Sequence, residues 1–350
     1  MAAPSVVSAS KQSTTDKMPH GGLYSLAGRY GNLIKYAAAA VALIVTFVIC
    51  LAIWGPGMAF PMEIGKQIGA KVDEWILWLT REGDWFFDGI KFVITKVLVA
   101  IEDFLLWLPW PVLIMAVTLL AWKVAGKSLG LFALIGLVLI GLMGRLPGGT
   151  STLWGGSMET LALIIVAVGI SLLIGIPMGV ISARNAIADS ILRPILDGMQ
   201  TMPSFVYLVP GILFFGLGNV PAVMATVIYA VAPVIRLTNL GIRQVSPEAV
   251  EAARSFGTTP LQMLTKVQIP MALPTIMAGI NQTIMMALAM VVIASLVGAG
   301  GLGEAVLRAL GRQEAGNSAI AGLAIVAIAI VIDRITQSMA RERQRALIGD

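Results

Sequence analysis

One cysteine, Cys50, and one histidine, His20, are all that this chain of 350 residues carries of either type. No disulfide can form within it, and a transition-metal centre built from thiolates and imidazoles lacks its ligands. Charge is scarce too. Asp, Glu, Lys and Arg make up 12% of the residues, where a soluble domain carries about a quarter. With 57% hydrophobic residues, the chain is built for lipid and not for water. The apolar runs also lack ionisable residues at their centres: Glu159, Asp197, Arg236 and Asp333 all read as lying at run ends. Proton and ion relays place such groups at mid-membrane, so energy has to enter from outside the chain. Two phosphate-binding signatures fail as well. Residues 121–128, A-W-K-V-A-G-K-S, have Ala121 where a P-loop needs glycine, and no strand precedes them. Residues 298–303, G-A-G-G-L-G, follow an apolar helix and not a strand. A gating turn or close helix packing suits Gly298, Gly300, Gly301 and Gly303 better than a nucleotide does. No ATPase, metal or cofactor is expected on this chain.

What is present in quantity is apolar sequence. Runs near 33–53, 111–123, 128–144, 159–182, 200–216, 220–236, 275–298 and 317–333 predict an all-α polytopic membrane protein of about eight spans, each needing ~20 residues. The first run reads as an anchor and not as a signal peptide. It follows a polar tail over 1–32, and a second tail covers 341–350. Eight spans place both termini on one side, together with the loop 246–274. That side carries about twice as many Lys and Arg as the other, which predicts a cytoplasmic location for termini and loop. The net charge of +5 is therefore an orientation signal, and no nucleic acid is expected as a partner.

Between 54 and 104, Ile64, Ile68, Val72, Trp75 and Leu79 recur at helical spacing, and a second such series runs from Trp85 through Ile90, Val93, Val97 and Ile101 to Leu105. Both predict amphipathic helices on the outer membrane face, or packed on the bundle. Trp54, Trp107, Trp110 and Trp154 stand at run ends, where an interfacial belt needs them. Ser171, Gly175 and Gly179 recur every four residues, a helix-packing pattern. The polar residues inside the runs are neutral. Asn281, Met285 and Ser295 share one helical face with Leu288 and Val292, and Tyr207 is a further candidate for a translocation path. Such a path suits a net-neutral solute; interhelical hydrogen bonding is the alternative for each residue.

The loop 246–274 is the most punctuated stretch of the second half. Ser246 and Pro247 open a short helix that Gly257 can close. Thr259, Pro260 and Gln262 form a capping box for a second helix, which Pro270 and Pro274 are expected to stop. Glu251 is placed to pair with Arg254. Within the loop stand Glu251-Ala252-Ala253, three residues, Gly257, nine residues, Val267, one residue and Ile269-Pro270. Here the sequence resembles the permease subunits of ATP-binding-cassette (ABC) importers, whose cytoplasmic loop reads E-A-A, three residues, G, nine residues, I-x-L-P. The segments 197–210, 215–221, 232–238 and 290–303 resemble the glycine betaine/proline betaine branch of that family, and the likeness covers roughly 105–340.

The resemblance implies a type I ABC importer permease core over 105–340, in the cytoplasmic (inner) membrane of a bacterium. It implies a second copy of the chain, two ATPase subunits that carry ATP and Mg²⁺, and a periplasmic or extracellular substrate-binding protein; membrane lipid surrounds the spans. Glu251, Ala252, Ala253, Phe256, Gly257 and Pro270 would then couple the membrane helices to the ATPase. The solute implied is a quaternary-ammonium or betaine-type osmolyte, glycine betaine or proline betaine first. The rival expectation is a secondary carrier or channel for small zwitterions or cations, working without an ATPase.

Overall fold

No proline interrupts residues 22–54, and they form one helix, α1 (Gly22–Trp54). This computed structural model describes residues 22–54, 64–145 and 151–348. Residues 1–21 of the expected polar tail lie outside the described residues, whereas 22–32 belong to α1. The chain divides into two units, Met1–Lys71 and Val72–Asp350. From residue 35 to 53 every side chain of α1 is exposed, Leu43 and Phe47 included. An apolar helix left uncovered all round is stable only in lipid. α2 (Ile64–Glu82) keeps Ile68, Val72, Trp75 and Trp78 exposed on an amphipathic helix.

The second unit continues through α3 (Asp84–Trp107), α4 (Trp110–Ala125), α5 (Lys127–Leu142), α6 (Leu153–Arg184), α7 (Ala186–Thr201), α8 (Leu208–Phe215), α9 (Asn219–Arg243), α10 (Pro247–Ser255), α11 (Pro260–Gln262), α12 (Ile269–Ala294), α13 (Leu302–Gly311) and α14 (Ala315–Ile348). A π-helical turn, Met263–Gln268, joins α11 to α12. No strand occurs among the described residues.

The expected spans, about eight, take two forms among the described residues. Five stretches are long and apolar enough to cross a membrane: Lys35–Ile53, Leu153–Arg184, Asn219–Arg243, Pro260–Val297 and Ala315–Ala340. The runs at 111–123 and 200–216 are instead halves of bent pairs, α3 with α4 at 98° and α7 with Ser204–Phe215 at 114°. The cause is local: Pro109 and Pro203 force the residue before each out of the helical region, and Leu108 and Met202 are extended. α5, at 16 residues, reaches only ~24 Å of the ~30 Å hydrocarbon layer. The boundary expected at 104/105 falls inside α3, whose Ile94 and Leu98 are buried in the core and whose Phe87 stacks on Phe214 at 4.7 Å. This second amphipathic stretch therefore packs on the bundle. α14 continues past its apolar run because no Gly or Pro stands between Ala324 and Ile348.

The core forms where α6, α9 and α12 pack side by side. Small residues permit it: a Cβ on Gly179 would lie 2.6 Å from the Thr238 Cβ and 2.8 Å from the Ile235 carbonyl oxygen. Ser171 donates to its own helix at Ala167. The Ser171, Gly175, Gly179 series is thus a packing stripe between α6 and α9. α12 also closes on α9 through Gly279, whose Cβ would stand 3.0 Å from the Leu237 Cβ.

Candidate functional site

Two turns flank the long helix α12, and both hold residues singled out by the sequence. At its start the elbow is built from local caps. The Ser246 hydroxyl accepts from the Ala249 N–H at 3.3 Å. Gly257, at φ +75°, lets its N–H donate to Arg254 O at 2.9 Å and the Thr258 N–H to Ala253 O at 3.3 Å. This is the reciprocal closure of a left-handed helix cap. The capping box is complete: Thr259 N–H donates to Gln262 Oε1 at 2.9 Å, and Gln262 N–H to Thr259 Oγ1 at 3.3 Å.

Pro270 and Pro274 do not stop the second helix. The π-turn Met263–Gln268 lies directly before Ile269, so Pro270 sits in the first turn of α12, where its missing N–H costs least. Pro274 follows four residues later, and the helix runs on to Ala294.

α10 buries none of its residues. Phe256 at its tip is 89% exposed, Glu251 and Ala252 are exposed, and Ala253 is half-buried. Thus Glu251, Ala252, Ala253, Phe256 and Gly257 share one protruding element, whereas Pro270 stands apart at the root of α12. The expected pairing of Glu251 with Arg254 is absent. Arg254 lines a cavity of about 470 Å³ instead, with Arg184 and Arg243, the last residues of α6 and α9.

Beneath the elbow lies a polar network that sequence reasoning missed. Asp189 on α7 accepts from Arg193 at 2.7 Å, from Asn239 at 2.9 Å and pairs with Arg243 at 3.2 Å. Asn239 also donates to Ser182 Oγ at 2.5 Å, and Arg243 to the Ser182 carbonyl at 2.9 Å. These bonds tie the end of α9, which leads into α10, to α6 and α7.

The candidate path residues differ in burial and in partners. Met285 is exposed, whereas Leu288 and Ser295 are buried and Ser295 donates to Val292 O at 2.6 Å. Asn281 donates to Asp333 on α14 at 3.1 Å, and Gln337 donates to the same carboxylate at 2.8 Å. Asp333 is therefore an interhelical acceptor. Tyr207 is buried; its hydroxyl donates to Met199 O and its ring lies 5.8 Å from that of Tyr229.

At the far end of α12, the glycine turn packs into the bundle. Gly298 and Gly301 have φ of +86° and +87°. The Gly218 N–H donates to Val297 O at 2.8 Å, Gly300 N–H to Asn219 Oδ1 at 3.0 Å, and Leu302 N–H to Thr160 Oγ1 at 2.9 Å. The Glu159 carboxylate bonds the Asn219 side chain and the Gly301 N–H. Three successive N–H groups are thus used internally, which leaves none to cradle a nucleotide. A side chain on Gly303 would collide with the Val291 carbonyl, so α13 folds back tightly against α12. Glu159, Thr160 and Asn219 carried no local signal, because they meet the turn only across the fold.

Comparisons with known proteins bear on both turns. Residues 175–344 match the family described as "Binding-protein-dependent transport system inner membrane component". Over 272 residues the chain is 46% identical to the glycine betaine/proline betaine transport system permease protein ProW of Escherichia coli, covering 76% of this chain and 75% of that one. Over 260 residues it is 49% identical to the glycine betaine/carnitine transport permease protein GbuB of Listeria monocytogenes, covering 72% and 89%. Among solved structures, a chain of the MetNI methionine ABC transporter in inward-facing conformations aligns with a TM-score of 0.51 at 22% identity, over 59% of this chain and 97% of that one. That likeness concerns the fold alone.

Proposed function

Because the chain belongs to the family of binding-protein-dependent transport system inner membrane components, we propose that it is the membrane subunit of an ATP-driven importer for a betaine-type osmolyte. The relatives' printed solutes, glycine betaine, proline betaine and carnitine, share a quaternary ammonium and a carboxylate. Such a solute is net neutral and crosses a path without mid-span charges. The observation that carries the reading is α10. It is a capped helix with no fully buried residue, resting on the bundle through Val250 and set above a polar network on α6, α7 and α9. A helix presented so rigidly and left uncovered is a docking element.

In this reading Phe256 and the small Ala252 and Ala253 enter a groove on an ATPase subunit, Glu251 meets a basic group there, and Gly257 sets the turn. Pro270 fixes the root of α12. ATP and Mg²⁺ bind the two ATPase subunits, and this chain catalyses nothing. A second copy of the chain completes the path, to which Asn281, Met285, Ser295 and Tyr207 are assigned, and the turn 298–303 gates it. A binding protein delivers the solute from outside, and both termini face the cytoplasm. ATP-driven closure of the ATPase pair moves α10 and, through it, a bistable membrane bundle.

The test is the reconstituted complex of permease, ATPase and binding protein. Solute-stimulated ATP hydrolysis is expected with glycine betaine, and is to be compared across proline betaine, carnitine, choline and trimethylamine N-oxide. Uptake by the purified chain alone, without ATPase, would instead support the secondary carrier.

A further inference from the structure

The turn 298–303 is held by atoms that do not belong to it. Its Gly300, Gly301 and Leu302 N–H groups are taken up in turn by Asn219, Glu159 and Thr160, so the affinity of a glycine-rich turn for acceptors is met from α6 and α9. The one carboxylate among these partners is that of Glu159. A Cβ on Gly300 would coincide with that carboxylate, and a Cβ on Gly301 would lie 2.5 Å from Thr160 Oγ1 and 3.1 Å from the Gly156 carbonyl oxygen. The two glycines are what allows α6 to reach the turn. Asn219 completes the arrangement from α9: its oxygen accepts from Gly300 N–H, and its amide bonds the Glu159 carboxylate.

Glu159 reaches the turn through the Gly301 N–H and the Asn219 amide. Two carboxylates stand near it, Glu102 on α3 and Glu304 on α13, the latter paired with Arg308. Coulomb repulsion from Glu102, and from Glu304 as far as Arg308 leaves it uncompensated, works against the hydrogen bonds that hold it. A side chain caught between these opposing effects is suited to letting go. The turn it holds is the direct continuation of α12, whose 26 residues span ~39 Å from the elbow. A displacement of the elbow along or about α12 therefore arrives at this carboxylate.

We infer that Glu159 is a positioning residue of the transport cycle: an internal anion that keeps the turn 298–302 closed against α6 and α9, and that leaves the Gly301 N–H and the Asn219 amide when the far end of the bundle opens. The inference rests on the reading of the chain as an importer permease.

The experiment uses the full complex in vesicles, in a Cys50→Ser background carrying Ala299→Cys, because Ala299 is 1% exposed within the turn. Alkylation by a membrane-impermeant maleimide reports opening. With Glu159 intact, labelling without ATP is expected to be slow. Glu159→Ala should speed it on the order of tenfold, as loss of a charge-assisted hydrogen bond implies. Glu159→Gln should fall between the two, because an amide oxygen still accepts one N–H. Asn219→Ala should act in the same direction and serves where Glu159→Ala does not assemble. ATP hydrolysed per solute imported should rise in the same order. Equal labelling in all assembled variants, or a proportional loss of hydrolysis and uptake without a labelling change, overturns the proposal. Binding-protein-dependent uptake by the parent complex is measured alongside. Its absence would refute the transport reading and leave the labelling result to stand alone.

Discussion

At one end of α12 the elbow satisfies its own hydrogen bonds: Ser246, Thr259 and Gln262 cap neighbours within three residues, and Gly257 closes α10 onto itself. At the other end the turn 298–303 borrows its acceptors from α6 and α9, up to 142 residues away in sequence. The two glycine positions make the contrast sharp. Gly257 and Gly301 have nearly the same left-handed φ, but nothing lies within 4 Å of a Cβ on Gly257, while Gly301 is enclosed by Thr160 and Gly156. A self-sufficient turn can be presented whole to a partner. A borrowed turn can only be held or released. One helix thus joins an element made for docking to one made for switching.

Substitutions can break this contrast. The largest effect is expected from Gly301→Val, which adds a left-handed penalty for a branched side chain to a collision with Thr160. A cost of several kcal/mol is expected, read as lost membrane yield and a lowered unfolding temperature in detergent. Next come Ala253→Trp and Phe256→Ala on α10. Because Phe256 is exposed and Ala253 only half-buried, the unfolding temperature should stay within error for Phe256→Ala and fall little for Ala253→Trp, while ATPase co-purification and uptake fall more than ~10-fold, as for a central interface contact. If the ATPase is retained and uptake persists in both, α10 is not the docking element. Gly257→Ala should be milder than Gly301→Val, costing about 1 kcal/mol because only conformation and not space opposes it. A cost as large as that of Gly301→Val would mean the two turns are not built differently. The smallest effect belongs to Thr259→Ala, which opens the capping box at about 0.5–1 kcal/mol, visible as a small drop in unfolding temperature with transport largely kept.

The same division explains what the sequence made legible. The elbow was readable because its caps act within a few residues, and composition alone named a helical membrane protein. The motif spacing led to the family. The bends after Trp107 and Thr201 were signalled only by Pro109 and Pro203, and the apolar runs concealed them, because such a run records burial in lipid and not direction. Pro270 and Pro274 misled because a proline signals a break only if the helix cannot supply another hydrogen-bond register, and the π-turn supplies one. Glu159 looked like a span-end residue. Its role depends on Asn219 and Gly301, which only the packing of α6, α9 and α12 brings beside it. Asp333 was likewise read as a span-end residue, and Asp189 was missed, for the same reason.

The π-turn Met263–Gln268 has one more consequence. Each residue advances a helix by about 100°, and a π-turn holds one residue more than the α-helix it replaces. The azimuth of the elbow about α12 is therefore encoded in chain length and not in any side chain. Removing one residue from this turn would leave every residue of the docking motif in place and still swing α10 roughly a quarter of a revolution away from the face it now presents.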